Sequence, residues 1–336
     1  MRGVPLAWFR SYLTDRSHCV KINNNLSDIS KIKYSVPQGS ILGPTLFNLY
    51  INDIVNCSKL LKFTLYADDS VVWFHHNNQN NLIEVMSQEL MLVKNWLTAN
   101  KLTLNVNKTK FLLFTKNSLT NHTVNIDGVY VDRVTEIEFL GVIFQSNLKW
   151  REHIKYISIK LNKLNSMLYL IRNKLTRDSL RLIYHSIAYS YISYCHIIWG
   201  NTFKTHLKPI HVAHKRIIRT ITFSHRTQSS LPLFNQLDLL DNESIRVYSI
   251  LLFVYKSLNS LIDYDKFTLS VQVHQRNLRN SLNLRPPQVR CKLTEHSVTY
   301  IGCVMWNSLS NEIKSSGSLF TFKRKLKEHL FSRQRS

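Results

Sequence analysis

Asp68 and Asp69 stand side by side between Leu65-Tyr66 and Val71-Val72-Trp73. Two carboxylates about 4 Å apart repel by about 4 kcal/mol at an effective dielectric of 20, and a bound divalent cation removes that cost. Hard Mg²⁺ takes oxygen ligands in octahedral geometry and usually shares one or two carboxylates with substrate phosphates. Such a pair on a tight turn therefore suits metal-assisted phosphoryl transfer. An exposed acidic turn explains the dipeptide alone equally well, because Asp is common in turns. Other groupings are weaker. Cys195, His196, His206, His211 and His214 lack a standard zinc-ligand spacing, and His211, His214, Lys215, Arg216 and Arg219 fit one basic helix face better. His75-His76 reads as an exposed loop. Lys323-Arg324-Lys325-Leu326-Lys327 reads as a nuclear address or phosphate patch, and equally as one side of an amphipathic helix that buries Phe322, Leu326 and Leu330.

The acid pair needs a rigid turn beneath it. Residues 61–74, LKFTLYADDSVVWF, hold two β-prone segments around a short polar step, which predicts a hairpin turning at Ala67 to Asp69. Upstream, Leu6, Phe9 and Leu13 predict a short helix, and residues 19–36 a hairpin with a loose loop. After a break at Pro37-Gln38-Gly39-Ser40, apolar residues recur at helical intervals from Ile41 to Val55, with Pro44 tolerated in the first turn. Downstream, Leu82, Met86, Leu90, Val93 and Leu97 mark an amphipathic helix ending at Asn100. Strands are predicted at 110–114, at 124–126 and 129–131 around the hairpin-forming pair Asp127-Gly128, and once more at 139–144. Up to residue 150 this is an α+β pattern. Beyond Trp150 the spacing becomes helical: Ile154 to Leu175, a second helix after Thr176 and Asp178, then 212–221, 245–258 and 319–331. A polar, arginine-rich connection over 275–292, containing Pro286-Pro287, is predicted to be a flexible loop.

Composition bounds the possibilities. With 336 residues, 44% hydrophobic and 19% charged, the chain can bury a core, which excludes a mostly disordered polymer. No apolar stretch approaches the roughly 20 residues that span a bilayer, so no membrane partner is expected. Arg10 and Pro5 interrupt the N-terminal apolar stretch, unlike a secretory leader. The five cysteines form no CxxC pair, so an intracellular location, nucleus or cytoplasm, is the expectation. The net charge of +23 implies attraction to polyanions. Residues 1–150 carry 15 basic and 11 acidic side chains, whereas 151–336 carry 29 and 10, so a near-neutral unit precedes a basic one.

The run SVPQGSILGPTLFNLYINDI, then LYADDSVVWF, then NKLTLNVNKTKFLLF and EFLGVIF closely resembles the palm of reverse transcriptases from non-LTR, LINE-type retrotransposons of the jockey-like kind. WFRSYLTDR upstream and MWNSLSNEIKSSGSLFTFKRKLKEHL near the end resemble the same elements, so the resemblance extends over nearly the whole chain. It implies an α+β partial palm over 1–147, a helical thumb-like region over 148–260, and a basic C-terminal region with a loop and terminal helix over 261–336. Tyr66-Ala67-Asp68-Asp69 is similar to the family's metal-binding box, with Asp68 as the ligand to Mg²⁺ or Mn²⁺ and Asp69 beside it. Pro37, Gln38, Gly39 and Ser40 match the turn that approaches template and incoming nucleotide, with Tyr66 and Ala67 adjoining. Glycine suits that approach because it has no Cβ. Lys108 or Lys110 falls where such polymerases place a lysine near the triphosphate. Phe139-Leu140-Gly141 resembles the primer grip. The thumb holds duplex through its phosphates, which makes Lys215, Arg216 and Arg219, with Lys323, Arg324 and Lys325, the candidate contacts.

The implied partners are an RNA template, a DNA primer and deoxynucleoside triphosphates. Two-metal catalysis needs carboxylates to hold both ions about 3.5 to 4 Å apart, and the family's further Asp comes from a motif upstream of the residues seen here. Asp15, in a polar turn, matches no such pattern. The expectation is thus an RNA-directed DNA polymerase fragment lacking one catalytic Asp, the alternative being a non-catalytic nucleic-acid-binding remnant or repurposed fragment. Group II intron maturases share the YADD box, but Ile41-Leu42-Gly43-Pro44 and the tail favour the LINE type.

Overall fold

A computed structural model of the chain describes residues 2–37, 39–115, 123–270, 282–289 and 291–335. Gln38 and much of the predicted 275–292 loop lie outside them. The chain forms two compact units, Met1–Thr135 and Glu136–Ser336.

In the first unit, helix α1 (Val4–Leu13) precedes nested two-residue strand pairs: β1 (Ser17–His18) with β4 (Ser30–Lys31), and β2 (Lys21–Ile22) with β3 (Asn25–Leu26). This is the predicted hairpin, and its strands are exposed. Helix α2 (Gly43–Ile51) continues into a 3₁₀ segment, Asn52–Cys57, and leads to β5 (Lys62–Tyr66) and β6 (Asp69–Trp73). The β5–β6 register pairs Phe63 with Val72 and Tyr66 with Asp69, leaving Ala67 and Asp68 as the two-residue turn. Helix α3 (Gln79–Ala99) begins where the Asn78 side chain accepts the amides of Asn80 and Asn81, an N-cap that satisfies two otherwise unpaired donors.

Two adjacent faces of α3 serve two small cores. Met86, Leu90, Val93 and Leu97 pack with Ile51, Ile54 and Leu61 against Phe63, Leu65 and Val72 of the hairpin. Ile83, Leu90 and Met91 pack against Val124, Ile126 and Val131. Those last residues belong to β8 (Val124–Ile126) and β9 (Val129–Val134), joined by Asp127 and Gly128, both at positive φ (52° and 80°), the turn that an Asp-Gly pair favours. β7 (Lys110–Leu112) runs parallel to β9 on its other edge.

In the second unit, β10 (Glu136–Phe139) and β11 (Val142–Gln145) form a hairpin where the alternation predicted one strand over 139–144. Leu140 and Gly141 turn the chain with φ of 47° and 76°, and leucine is not a residue that signals such a turn. The long helices are α4 (Arg151–Ile171), α5 (Lys204–Ile221), α6 (Asn242–Leu258), α7 (Val298–Asn307) and α8 (Leu319–Arg335). Between α4 and α5, the predicted second helix is helical from Arg177 to Ser193 with a π-helical stretch at Tyr184–Tyr189. α5 starts at Lys204, not Val212, because Pro209 is accommodated inside it. α4 packs on α5, and α6 on α7 and α8.

One apolar core runs from Val142 and Ile154 through Trp199, Phe234 and Ile250 to Phe322 and Leu330. The two compact units meet at 135/136, and this core draws on both the 148–260 and the 261–336 segments. The β10–β11 hairpin joins the helices because Val142 enters their core and Tyr194 donates its hydroxyl to the Leu140 carbonyl at 2.7 Å. The 261–336 segment supplies Trp306, Phe322 and Leu330 to the same core.

Gly302 lies where α7 crosses α6: a Cβ there would stand 2.9 Å from Val254 Cγ2 and 3.0 Å from Phe267 Cε1. Gly302→Ala should destabilise this unit by about 1–3 kcal/mol through overpacking, read as a lower denaturation midpoint at unchanged m-value.

Three histidines are built into the same core. His214 bonds the Tyr184 hydroxyl through Nε2 at 2.9 Å, His196 stacks on Trp199 with ring centroids 4.4 Å apart, and His153 Nδ1 accepts the Ile143 amide. Burial pushes His196 and His214 down to about 3, with Arg246 adding to the effect at His196. Burial, with Lys160, pushes His153 down to about 4. Unfolding returns each ring to about 6.5, so the unfolded chain binds more protons as the pH falls. The stability these rings contribute is present above about pH 6.5 and is lost as the pH drops towards 4. Thermal melts should be flat from pH 8 to 7 and fall steeply between about pH 6.5 and 4, and His214→Gln should make that slope shallower.

Candidate active site

The β5–β6 hairpin alternates as a half-buried ribbon. Phe63 and Leu65 turn towards α2 and α3, while Lys62, Thr64 and Tyr66 face water. This phase carries the tip beyond the core, and Asp68 and Asp69 are both exposed. Ala67 holds a φ of 51°, a left-handed conformation that costs a side chain about 1–2 kcal/mol. Beneath the tip lies a cleft of ≈ 460 Å³ lined by Asn48, Ile51, Asn52, Leu65, Tyr66 and Ala67. Ala67 is the turn residue that lines this cleft, and the exposed Asp68 and Asp69 follow it directly in the chain. Asn48 on α2 and Asn52 at the start of the 3₁₀ segment line the cleft without having been singled out from the sequence; their i, i+4 spacing was the available signal.

The turn before α2 is bonded to the helix start. The Ser40 hydroxyl donates to the Pro37 carbonyl at 2.7 Å and accepts the Gly43 amide at 3.1 Å. A Cβ on Gly43 would meet Ser40 Oγ at 3.1 Å and the Pro37 carbonyl oxygen at 3.3 Å, contacts tight enough that both atoms would have to shift slightly to admit it. Gly39 has a φ of 74° and open space around it, as a turn approached by a ligand would need.

The remaining candidates are more dispersed. Lys108 and Lys110 are exposed, Lys108 in a turn where its amide bonds Asn105 and Lys110 at the start of β7 opposite Asp132. They belong with the β8–β9 core of α3, and among the described residues neither bonds to the acid pair. In the second unit, Phe139-Leu140-Gly141 forms the β10–β11 turn already described. Lys215 and Arg216 are exposed on α5, and Arg219 donates to the Gln228 carbonyl at 2.8 Å. His214, expected on that basic face, is instead fully buried, because its ring fills the space between Tyr184 and Phe234. On α8, Lys323 is half-buried, Arg324 reaches Glu328 at 3.5 Å and Lys325 pairs with Glu312 at 2.9 Å. The burial of Phe322, Leu326 and Leu330 fits the amphipathic-helix reading.

Residues 1–144 match the family model described as reverse transcriptase (RNA-dependent DNA polymerase). The chain is 27% identical over 224 residues to the RNA-directed DNA polymerase from mobile element jockey of Drosophila funebris, covering 63% of this chain and 24% of that protein. It is 28% identical over 227 residues to the probable RNA-directed DNA polymerase from transposon BS of Drosophila melanogaster, covering 63% and 25%. Residues 1–144 thus form a reverse-transcriptase domain, and the chain is similar to the polymerases of non-LTR, LINE-type elements. It spans about a quarter of the length of these relatives.

Within that domain the acid pair fits a hard divalent ion: oxygen donors at a solvent-exposed tip leave room for the coordinated water that Mg²⁺ retains. Among the described residues no group of three His, Cys, Asp or Glu side chains is placed to hold a metal. Because both carboxylates are exposed and their neighbours pack without them, Asp68→Asn and Asp69→Asn should each change stability by less than about 0.5 kcal/mol, measured by denaturant unfolding in metal-free buffer.

Proposed function

We propose that this chain supplies the metal-holding hairpin and a nucleic-acid-holding helical unit of an RNA-directed DNA polymerase, extending a DNA primer on an RNA template. The observation that carries this reading is the placement of Asp68 and Asp69 at the exposed tip of a tight hairpin, directly after the cleft-lining Ala67, within a reverse-transcriptase domain. Asp68 is the ligand and Asp69 its neighbour. A divalent ion bound there, Mg²⁺ or Mn²⁺, lowers the charge on the triphosphate and makes the primer 3′-hydroxyl more acidic. In the reaction the 3′-oxygen forms a bond to the α-phosphorus, the α–β phosphoanhydride bond breaks, pyrophosphate leaves and the hydroxyl proton passes to solvent. The turn ending in Ser40 and Gly43 fixes the start of α2, and with it the Asn48 and Asn52 amides that edge the cleft. Lys108 or Lys110 acts as a point charge towards the leaving group, and the exposed Lys215 and Arg216 contact duplex phosphates.

Two ions need more carboxylate than this pair provides, so full activity requires a further carboxylate from outside the described residues. That shortfall among the described residues also favours a second reading, a nucleic-acid binder without catalysis. Primer extension on an RNA template, run with the purified chain in Mg²⁺ and in Mn²⁺, separates the two. Incorporation lost by at least a hundredfold in Asp68→Ala supports the polymerase. Salt-sensitive RNA binding without incorporation, unchanged by Asp68→Ala, supports the binder.

A further inference from the structure

The helical unit contains a second cleft, of ≈ 300 Å³, that the polymerase reading does not use. Residues 147–150, 198, 201–203, 292–293 and 296–297 wall it. These walls are bonded to one another. The Lys149 carbonyl accepts the Thr202 hydroxyl and His206 Nδ1–H, both at 3.2 Å, while His206 Nε2 accepts Arg151 Nε–H at 3.1 Å. His296 Nδ1–H donates to the Asn201 carbonyl at 2.6 Å. The cleft is therefore pre-formed, a condition for binding without a large ordering cost.

Its mouth combines apolar and cationic groups. Phe203 and Leu293 remain 43% and 54% exposed there, and T-shaped contacts to His206 and His296, with centroids 5.3 and 4.8 Å away, hold the Phe203 ring in place. Lys149 and Lys292 flank the opening, both exposed and neither in an ion pair among the described residues. An exposed aromatic ring between free cations matches a base with its phosphates, since aromatic platforms bind any base by stacking while a basic groove tracks the backbone. The cleft is too small for a duplex, and 29 basic against 10 acidic residues from 151 onward favour a polyanion over an apolar peptide.

We propose that this cleft takes one nucleotide of a single-stranded polynucleotide, its base stacked on Phe203 beside Leu293 and its phosphates on Lys149 and Lys292. The inference rests on the reading of the chain as one that handles nucleic acid and adds a single-strand site distinct from the acid-pair hairpin.

The test is fluorescence anisotropy of the full chain with a labelled single-stranded RNA, the same sequence as single-stranded DNA, and the RNA–DNA duplex. Phe203→Ala should weaken single-strand binding about tenfold, the size of one lost base stack, while Phe203→Trp retains affinity and duplex binding is little changed. The double replacement Lys149→Gln, Lys292→Gln should lower the slope of log affinity against log salt by about 1 to 1.5. A loss on RNA, DNA or both supports the cleft and identifies the strand it takes. Wild-type binding that Phe203→Ala leaves intact, or a loss equal on the duplex, overturns the cleft and spares the polymerase reading. A wild-type chain that binds none of the three polynucleotides overturns both. Melting curves of each variant separate a lost contact from lost folding.

Discussion

The alternating phase of the β5–β6 hairpin, which sets where two neighbouring carboxylates stand, is the constraint around which the first unit is organised. Asp68 and Asp69 occupy consecutive positions at the end of a two-residue turn, so the backbone fixes their proximity and only water or a cation relieves their repulsion. Water does so here: the hairpin phase that buries Phe63 and Leu65 lifts the tip out of the core, and the pair stays solvated. The left-handed Ala67 belongs to the same arrangement. The two-residue connections whose twist suits paired strands take positive φ at one or both residues, and the apolar ladder of Phe63, Leu65 and Val72 below supplies the stability that holds this one.

α3 links that hairpin to the other half of the unit. Leu90 belongs to both small cores, so the β5–β6 hairpin and the β8–β9 hairpin are positioned from one helix. Lys94 on α3 forms an ion pair with Asp127 in the β8–β9 turn, a second tie between helix and hairpin. A change at Leu90 would therefore reach the acid pair through packing, without touching it.

The sequence made several elements legible because local chemistry and tertiary packing agree there. The Asp127-Gly128 turn, the β5–β6 hairpin and the α3 stripe each follow from residue preferences that the fold also rewards. Misreadings arose where the fold overrides local preference. Leu140, Leu148 and Trp150 take positive φ although bulky side chains avoid it, which hid the β10–β11 turn and the entry to α4. Pro209 sits inside α5 although proline usually marks a boundary. His214 lies within a run of basic residues, yet its neighbour Ala213 and the following Ile217 and Ile218 place that side of the helix in the core. At the candidate site the acid pair and the Ser40 turn were readable from motif spacing. Asn48 and Asn52 were not singled out, since two asparagines on a helix carry no chemistry until a cleft is seen beside them.

Charge in the second unit looks different once pairing is taken into account. The densest basic run, Lys323 to Lys327, is the natural choice for a phosphate patch, but the fold uses part of it internally. Lys325 bonds both the carboxylate and the carbonyl of Glu312, Arg324 reaches Glu328, and Lys327 lies 5.9 Å from the Tyr248 ring centroid. Each such contact competes with phosphate for the same cation and reduces the counterions that binding would release. Lys215 and Arg216, exposed on α5 among neighbours of their own sign, keep their charge available to solvent. Accessible positive charge in this unit therefore follows exposed cations such as Lys215 and Arg216, which form no ion pair among the described residues, rather than the density of lysine and arginine along the chain.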